Sequence, residues 1–353
     1  MRPHQPMPHV RLGAHNHMAG SRRQILSASL RRARPRLSWS SYAIAVSSLI
    51  SLNFFLPRLM PGDPLTLLTA QGSPVYVTPE TKASLRHYYG LDLPMVEQFT
   101  RYLTDLVHGD LGMSVIYNKS VTVVIAERLP WTLLLVGTAL VVATAVGWLA
   151  GIASAWRRGA LSDRGLLVAF LTLSNLPAFF IAPLVLLLFV VKLRWFPLAG
   201  ATTPFATFGL GRHIVDIGYH LVLPATVLAV LSSASSYLVM RASMVAQIGA
   251  DYMQLGYAKG LPERRLKYRY AARNALLPAT TATGLQLGQM VTGAVFIESV
   301  FAYPGMGRLM FDSIAARDYP ALQGCFLVLT VAVLTFNALA DAVYSRLDPT
   351  TSA

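Results

Sequence analysis

The residues of this chain best placed to do chemistry are polar groups inside long apolar stretches. Asn337 and Asp341 stand four apart, on one face of a helix. Gln286 and Gln289 stand three apart, near Thr292, and Ser232, Ser233, Ser235 and Ser236 crowd a third stretch. Such groups bind polar solutes, line a path or cement helix packing; they do not break bonds unaided. Two roles are open to Asp341, a tie to nearby basic loops or a place in a pathway. Glu298, at the end of its own stretch, is open to the same two.

Catalytic constellations are missing from the sequence. No Gly-x-x-x-x-Gly-Lys-Ser/Thr phosphate loop occurs, nor any nucleophile–base set or paired-carboxylate site. The single cysteine, Cys325, rules out an internal disulfide and a cysteine-based metal cluster, and is expected to be a packing residue. Four of the eight histidines lie in the first 36 residues, without the spacing of a metal site. No metal or cofactor site is expected, and the chain is expected to hydrolyse nothing itself.

The elements that must position these residues follow from charge spacing. Of 353 residues, 54% are apolar and 13% charged, about half the charge of an ordinary soluble domain. Six windows of 21 to 28 residues carry no charge: 37–57, 129–156, 165–191, 217–240, 274–297 and 319–340. Each is long enough to cross ~30 Å of hydrocarbon as a helix. The expected fold is an all-α integral membrane protein with six transmembrane helices. The uncharged stretch 195–211 holds Pro197, Pro204 and three glycines, so it reads as an irregular loop.

The net charge of +14 has a location. Segments on the side of the N-terminus (1–36, 157–164, 241–273 and 341 onward) hold 19 Lys/Arg against 5 Asp/Glu, and the other side holds 11 of each. The positive-inside rule makes that side, and both termini, cytoplasmic. A nucleic-acid surface is thereby set aside. Residues 1–36, with eight arginines and no acid, read as a disordered tail against anionic lipid.

Between the windows, 61–128 forms a long extracytoplasmic loop. Thr78-Pro79-Glu80 reads as one helix start. Leu93-Pro94 reads as another, followed by Val96, Phe99, Tyr102, Leu103 and Leu106 at helical spacing. Residues 129–345 form the core, with 346–353 as a short tail. The cytoplasmic loop 241–276 reads as a helix from Ser243 to Lys259, ended by Gly260, and a second helix starting at Pro262. That elbow has the shape of a docking element.

The elbow, Asp251-Tyr252-Met253-Gln254-Leu255-Gly256-Tyr257-Ala258-Lys259-Gly260-Leu261-Pro262-Glu263-Arg264-Arg265 with Asn274-Ala275-Leu276-Leu277-Pro278, resembles the EAA-type coupling loop of ABC importer permeases. The likeness is to the B-type permease of the dipeptide/oligopeptide/nickel branch, and it runs along most of the chain. It takes in Pro61-Gly62-Asp63-Pro64, Tyr89-Gly90-Leu91-Asp92-Leu93-Pro94, Gly109-Asp110-Leu111-Gly112 and Glu127-Arg128-Leu129-Pro130. Tyr303-Pro304-Gly305-Met306-Gly307-Arg308, Ala316-Arg317-Asp318-Tyr319-Pro320 and Asn337-Ala338-Leu339-Ala340-Asp341 follow in family order. Family members usually carry Ala and Arg where this chain has Gly256 and Tyr257, and residues 1–36 lie outside the likeness.

The resemblance implies a type I importer permease, forming half of a translocation pathway for peptides or similar small solutes. Its implied partners are a homologous C-type permease, two ATP-binding subunits that hold ATP and Mg, an extracytoplasmic substrate-binding protein, and membrane lipid. Its implied place is the bacterial inner membrane. Contact with the ATPase would fall on Asp251, Tyr252, Leu255, Gly256, Ala258, Lys259, Gly260, Leu261 and Arg264. Ser236, Gln286, Gln289, Asn337 and Asp341 are the pathway candidates. The rival is an ion-gradient-driven secondary transporter or channel, with Pro177 and Pro224 as helix breaks. It lacks an evident internal repeat and gives the elbow no purpose.

Overall fold

The computed structural model describes residues 39–59, 78–88 and 92–347. The tail 1–36, the turn Pro61–Pro64 and the segment 348–353 lie outside them. The chain divides into two compact units, Met1–Leu52 and Asn53–Ala353. Among the described residues the protein is all-helical, with one isolated bridge between Met113 and Ser120 and no strand.

Among the described residues, five of the six uncharged windows fall on one helix each, and 165–191 falls on two. Helix α1 is Trp39–Arg58. Next come α2 (Pro79–Tyr88) and α3 (Met95–Val107), whose starts fall at the two proline signals. Helix α4 is Val121–Trp156, α5 is Leu161–Asn175, and α6 is Ala178–Leu186, running on as a wider turn through Lys192. Helix α7 is Leu210–Ile248 and α8 is Asp251–Ala258. A short α9, Glu263–Arg265, leads through a wide-turn stretch, Leu266–Ala272, into α10, Arg273–Val300. Helix α11 is Met306–Ala316 and α12 is Tyr319–Leu347.

Three of these are single helices long and apolar enough to cross a membrane: α4, α7 and the Tyr319–Phe336 part of α12. The third window is not one straight helix. Leu176, the residue before Pro177, is extended (ψ 121°), as a residue before proline prefers. The pair α5 and α6 therefore bends by 99°, making a fourth span at most. The two remaining windows, on α1 and α10, are helical but are not among these candidates. Helix α10 carries Thr280, Thr281, Thr283, Gln286, Gln289 and Thr292 along its length.

Close approach of α4 and α7 is set by small residues. A Cβ on Gly147 would lie 2.5 Å from Ser236 Cβ and 2.8 Å from the Ser233 carbonyl; one on Gly151 would lie 3.0 Å from backbone atoms of Tyr237 and Arg241. Small residues let backbones approach where lipid supplies no hydrophobic drive. At one end of this pair, Met240, Met244, Ile152 and Ala155 join Met253 and Leu266 in a core that seats α8. At the other end, α3 lays Phe99 and Tyr102 against Phe54, ring centroids 5.1 and 5.5 Å apart. Val96, expected on the same face, is exposed. The irregular stretch after α6 holds to α7 through Asp216, which accepts from the Thr203 amide and hydroxyl, both at 2.7 Å.

Candidate functional site

The expected helix 243–259 is broken. Helix α7 ends at Ile248; Gly249 caps it, and Ala250 is extended (ψ 149°) before α8 begins. The extended Ala250 then redirects the chain. Helix α8 has an inner and an outer side. Met253 and Gly256 are buried, and a Cβ on Gly256 would meet Leu266 Cδ2 at 2.6 Å. Asp251, Gln254, Leu255 and Ala258, at i, i+3, i+4 and i+7, face outward. Leu255 and Tyr257 are 55% and 53% exposed.

The C-terminal turn of α8 needs its glycine. Gly260 has φ +66°, a conformation that costs other residues about 1–2 kcal/mol. Its N–H donates to the Tyr257 carbonyl at 2.9 Å, and the Leu261 N–H to the Gly256 carbonyl at 3.3 Å. Together these close a Schellman turn. Pro262 then stands at the N-cap of α9, and the Trp156 indole donates to the Glu263 carboxylate. An open hollow of about 460 Å³ lies among Trp156, Ile248, Tyr257, Leu261, Glu263 and Leu266.

The structure thus sorts the nine elbow residues. Asp251, Leu255, Ala258, Lys259, Gly260 and Arg264 are exposed; Gly256 is internal and Leu261 half-buried. Tyr252 ties the elbow back to α7 by donating to Gln247 Oε1 at 2.6 Å.

Beneath the elbow lies a buried charge cluster, on Asp163, that sequence reasoning passed over. Asp163 is 3% exposed. It takes a two-pronged bond from Arg241, Nε to Oδ1 and a terminal nitrogen to Oδ2, both at 2.9 Å. Ser154 Oγ donates to Oδ1 at 2.5 Å and the Gly159 amide to Oδ2 at 3.0 Å. The Tyr237 hydroxyl lies 2.6 Å from Ser154 Oγ, and its ring stacks on Phe170 at 4.2 Å. The cluster joins α4, α5 and α7 seven residues before α7 ends. The readable signal was a lone acid in a turn otherwise holding Arg157, Arg158 and Arg164.

Of the pathway candidates, Ser236 and Gln286 meet each other. Ser236 Oγ donates to Gln286 Oε1 at 2.8 Å, and Gln286 Nε2 donates to the Ser232 carbonyl at 2.6 Å. Both are buried between α7 and α10, whereas Gln289 is exposed, so the two glutamines stand in different surroundings. The side chains of Asn337 and Asp341 lie outside those described.

At the opposite end, Glu298 is fully buried. Its carboxyl accepts from Thr132 Oγ1 at 2.6 Å and from the Gly307 and Arg308 amides at 2.6 and 3.2 Å, at the start of α11. Thr132 in turn accepts from the Met306 amide at 2.7 Å. Asp318 repeats the device at the start of α12. It accepts from Ser114 Oγ at 2.5 Å and from the Ile116 and Ala321 amides at 3.1 and 3.2 Å. Both carboxyls sit where a helix N-terminus offers free N–H groups.

Comparison with known proteins shows what the chain is similar to. Residues 143–353 match the family described as binding-protein-dependent transport system inner membrane component. A peptide permease protein of Brucella ovis is 38% identical over 303 residues, covering 86% of this chain and 93% of that one. The dipeptide transport system permease protein DppB of Escherichia coli is 32% identical, covering 84% and 92%. The di/tripeptide transport system permease protein of Pseudomonas aeruginosa is 33% identical over the same shares. A solved amino acid ABC transporter overlays 64% of this chain and 94% of its own, with 14% identity and a TM-score of 0.48.

Proposed function

The chain belongs to the binding-protein-dependent transport system inner membrane components, and from that premise we propose that it moves short peptides. It is a permease subunit of an ABC importer. Relatives that carry peptides in their names cover most of its length, which supports peptides over other solutes. In this reading all six uncharged windows cross the membrane, α5 and α6 as one bent span, with both termini in the cytoplasm. The surplus of basic residues on the elbow's side supports that orientation. A homologous C-type permease completes the pathway, two ATPase subunits bind ATP and Mg, and an extracytoplasmic binding protein delivers the solute. ATP-driven closure of the ATPases, transmitted through the elbow, switches the pathway between its two openings.

The observation that carries the coupling role is the two-sidedness of α8. Its inner side is locked to α4, α7 and the wide-turn stretch Leu266–Ala272, and its outer side offers Leu255 and Tyr257 to a partner. An element so anchored moves with the spans when a partner pushes on it. The test is peptide uptake and ATP hydrolysis by the reconstituted complex. Leu255→Glu changes only an exposed side chain and places charge in the contact. Gly260→Pro demands φ near −65° where the chain has +66°. Lys259→Glu reverses a charge at the turn. Each is expected to lower uptake at least about tenfold per ATP hydrolysed, with Leu255→Glu leaving the thermal midpoint unchanged. Wild-type uptake by all three variants would remove the elbow from the mechanism.

A further inference from the structure

At the end of the molecule away from the elbow, a cavity of about 330 Å³ opens between the end of α1, α3, the turn before α4, and α12. That size suits a small ligand; ligand pockets run from roughly 300 to 1,000 Å³. Its lining is charged and mixed in sign, with Arg58, Arg101, Tyr102, Asp105, Asp110 and Gln323 among its residues.

Arg58 is the anomaly. It is only partly exposed, and its guanidinium lies 3.6 Å from the centre of the Phe54 ring. Its bonds go to neutral acceptors, the Gln98 side-chain carbonyl at 3.2 Å and the Phe54 carbonyl at 2.9 Å. A guanidinium has five N–H donors, and among the described residues no carboxylate pairs with it. Tyr102 stands beside it with a donor to spare. Its oxygen accepts from Asn53 Nδ2 at 3.1 Å, and its own O–H has no acceptor among the described residues. Burial raises the Tyr102 hydroxyl above its ordinary range, so it remains a donor at neutral pH. Acceptors come from the other side. Asp105 has only a long, exposed contact to Arg101 at 3.9 Å, and Asp110 holds the Gly112 amide at 2.8 Å with an oxygen left over.

We propose that this cavity binds a short peptide by its two ends, Arg58 and Tyr102 taking the carboxylate and Asp105 and Asp110 the ammonium group. The site receives the solute on the permease after release from the binding protein, and rests on the reading of the chain as half of a peptide importer. A partly desolvated cation with no carboxylate partner among the described residues is a poor arrangement for stability alone, and a ligand carboxylate completes it with charge-assisted bonds.

The test uses the assembled complex in lipid nanodiscs without binding protein, and equilibrium binding of labelled L-alanyl-L-alanine. Wild type is expected to bind it and to discriminate at least about tenfold against both the N-acetylated and the C-amidated dipeptide, as each lost charged bond requires. Arg58→Gln abolishes discrimination against the amide and keeps it against the acetylated form. The double change Asp105→Asn with Asp110→Asn does the reverse. A misfolded cavity would lose both together, which overturns the assignment of ends.

No dialanine binding by a wild-type complex that imports peptides once binding protein is added overturns the site and leaves the importer reading intact. A complex that imports no peptide even then overturns both. An anionic phospholipid retained by wild type, lost from Arg58→Gln and not displaced by dialanine assigns Arg58 to a headgroup and overturns the proposal.

Discussion

Wholly burying a carboxyl group costs several kcal/mol unless its oxygens find donors, and Glu298 finds a hydroxyl and two backbone amides. Those donors explain the glycines around it. A Cβ on Gly305 would lie 2.3 Å from the Glu298 carboxyl, and one on Gly307 would lie 2.4 Å from Val295 Cα. Gly305→Ala is therefore expected to destabilise the protein by about 1–3 kcal/mol through overpacking. Glu298→Ala should cost at least about 1–3 kcal/mol, because it strands the amides and the Thr132 hydroxyl. Thermal midpoints in detergent decide the matter; unchanged values for both variants would mean the cap is not formed. The sequence shows an acid at the end of a window and two glycines in a turn. It does not show their connection, because Thr132 lies 166 residues before Glu298.

Helices in this protein are legible wherever charge spacing, proline or glycine marks them, and illegible where a side chain from afar decides. Pro94, Pro79 and Gly260 fall at the helix ends their chemistry demands. Pro177 announces a break but not its 99° angle, since the direction of the second half is set by what it packs on. The elbow was readable as two arms, yet its inner arm is separated from α7 by Gly249 and Ala250. Gly256, odd against its family, fits because Leu266 occupies the place of its missing methyl. The lone acid Asp163 is visible in its basic turn, but its pairing is not, since Arg241 is 78 residues away. Arg241→Met leaves Asp163 buried and unpaired, and should cost about 3–5 kcal/mol. Joining it to Asp163→Asn removes the stranded charge and should recover most of that loss, the non-additivity expected of residues in contact. Equal destabilisation by the single and double variants would show that the pair does not tie α5 to α7.

At the scale of the whole molecule, orientation rests on charge and on which ends of the helices the two carboxylate caps and the elbow occupy. In the proposed orientation the segments assigned to the elbow's side hold 19 Lys/Arg against 5 Asp/Glu. Each such residue near an anionic leaflet gains about 1 kcal/mol, so inverting the molecule would forfeit a large sum. The bent pair α5 and α6 keeps the alternation intact only if it crosses once. Were the whole bundle inverted, the elbow would face outward. Cysteine labelling separates the two. Cys325, the native cysteine, is fully buried and gives little background. Val107→Cys places a thiol where the side chain is 84% exposed, on α3, and Gln254→Cys places one on the exposed face of α8. In intact cells a membrane-impermeant maleimide should label position 107 and spare position 254 until the membrane is opened. Labelling at 254 in intact cells would put the elbow outside, beyond the reach of any ATPase, and would end the coupling reading with it.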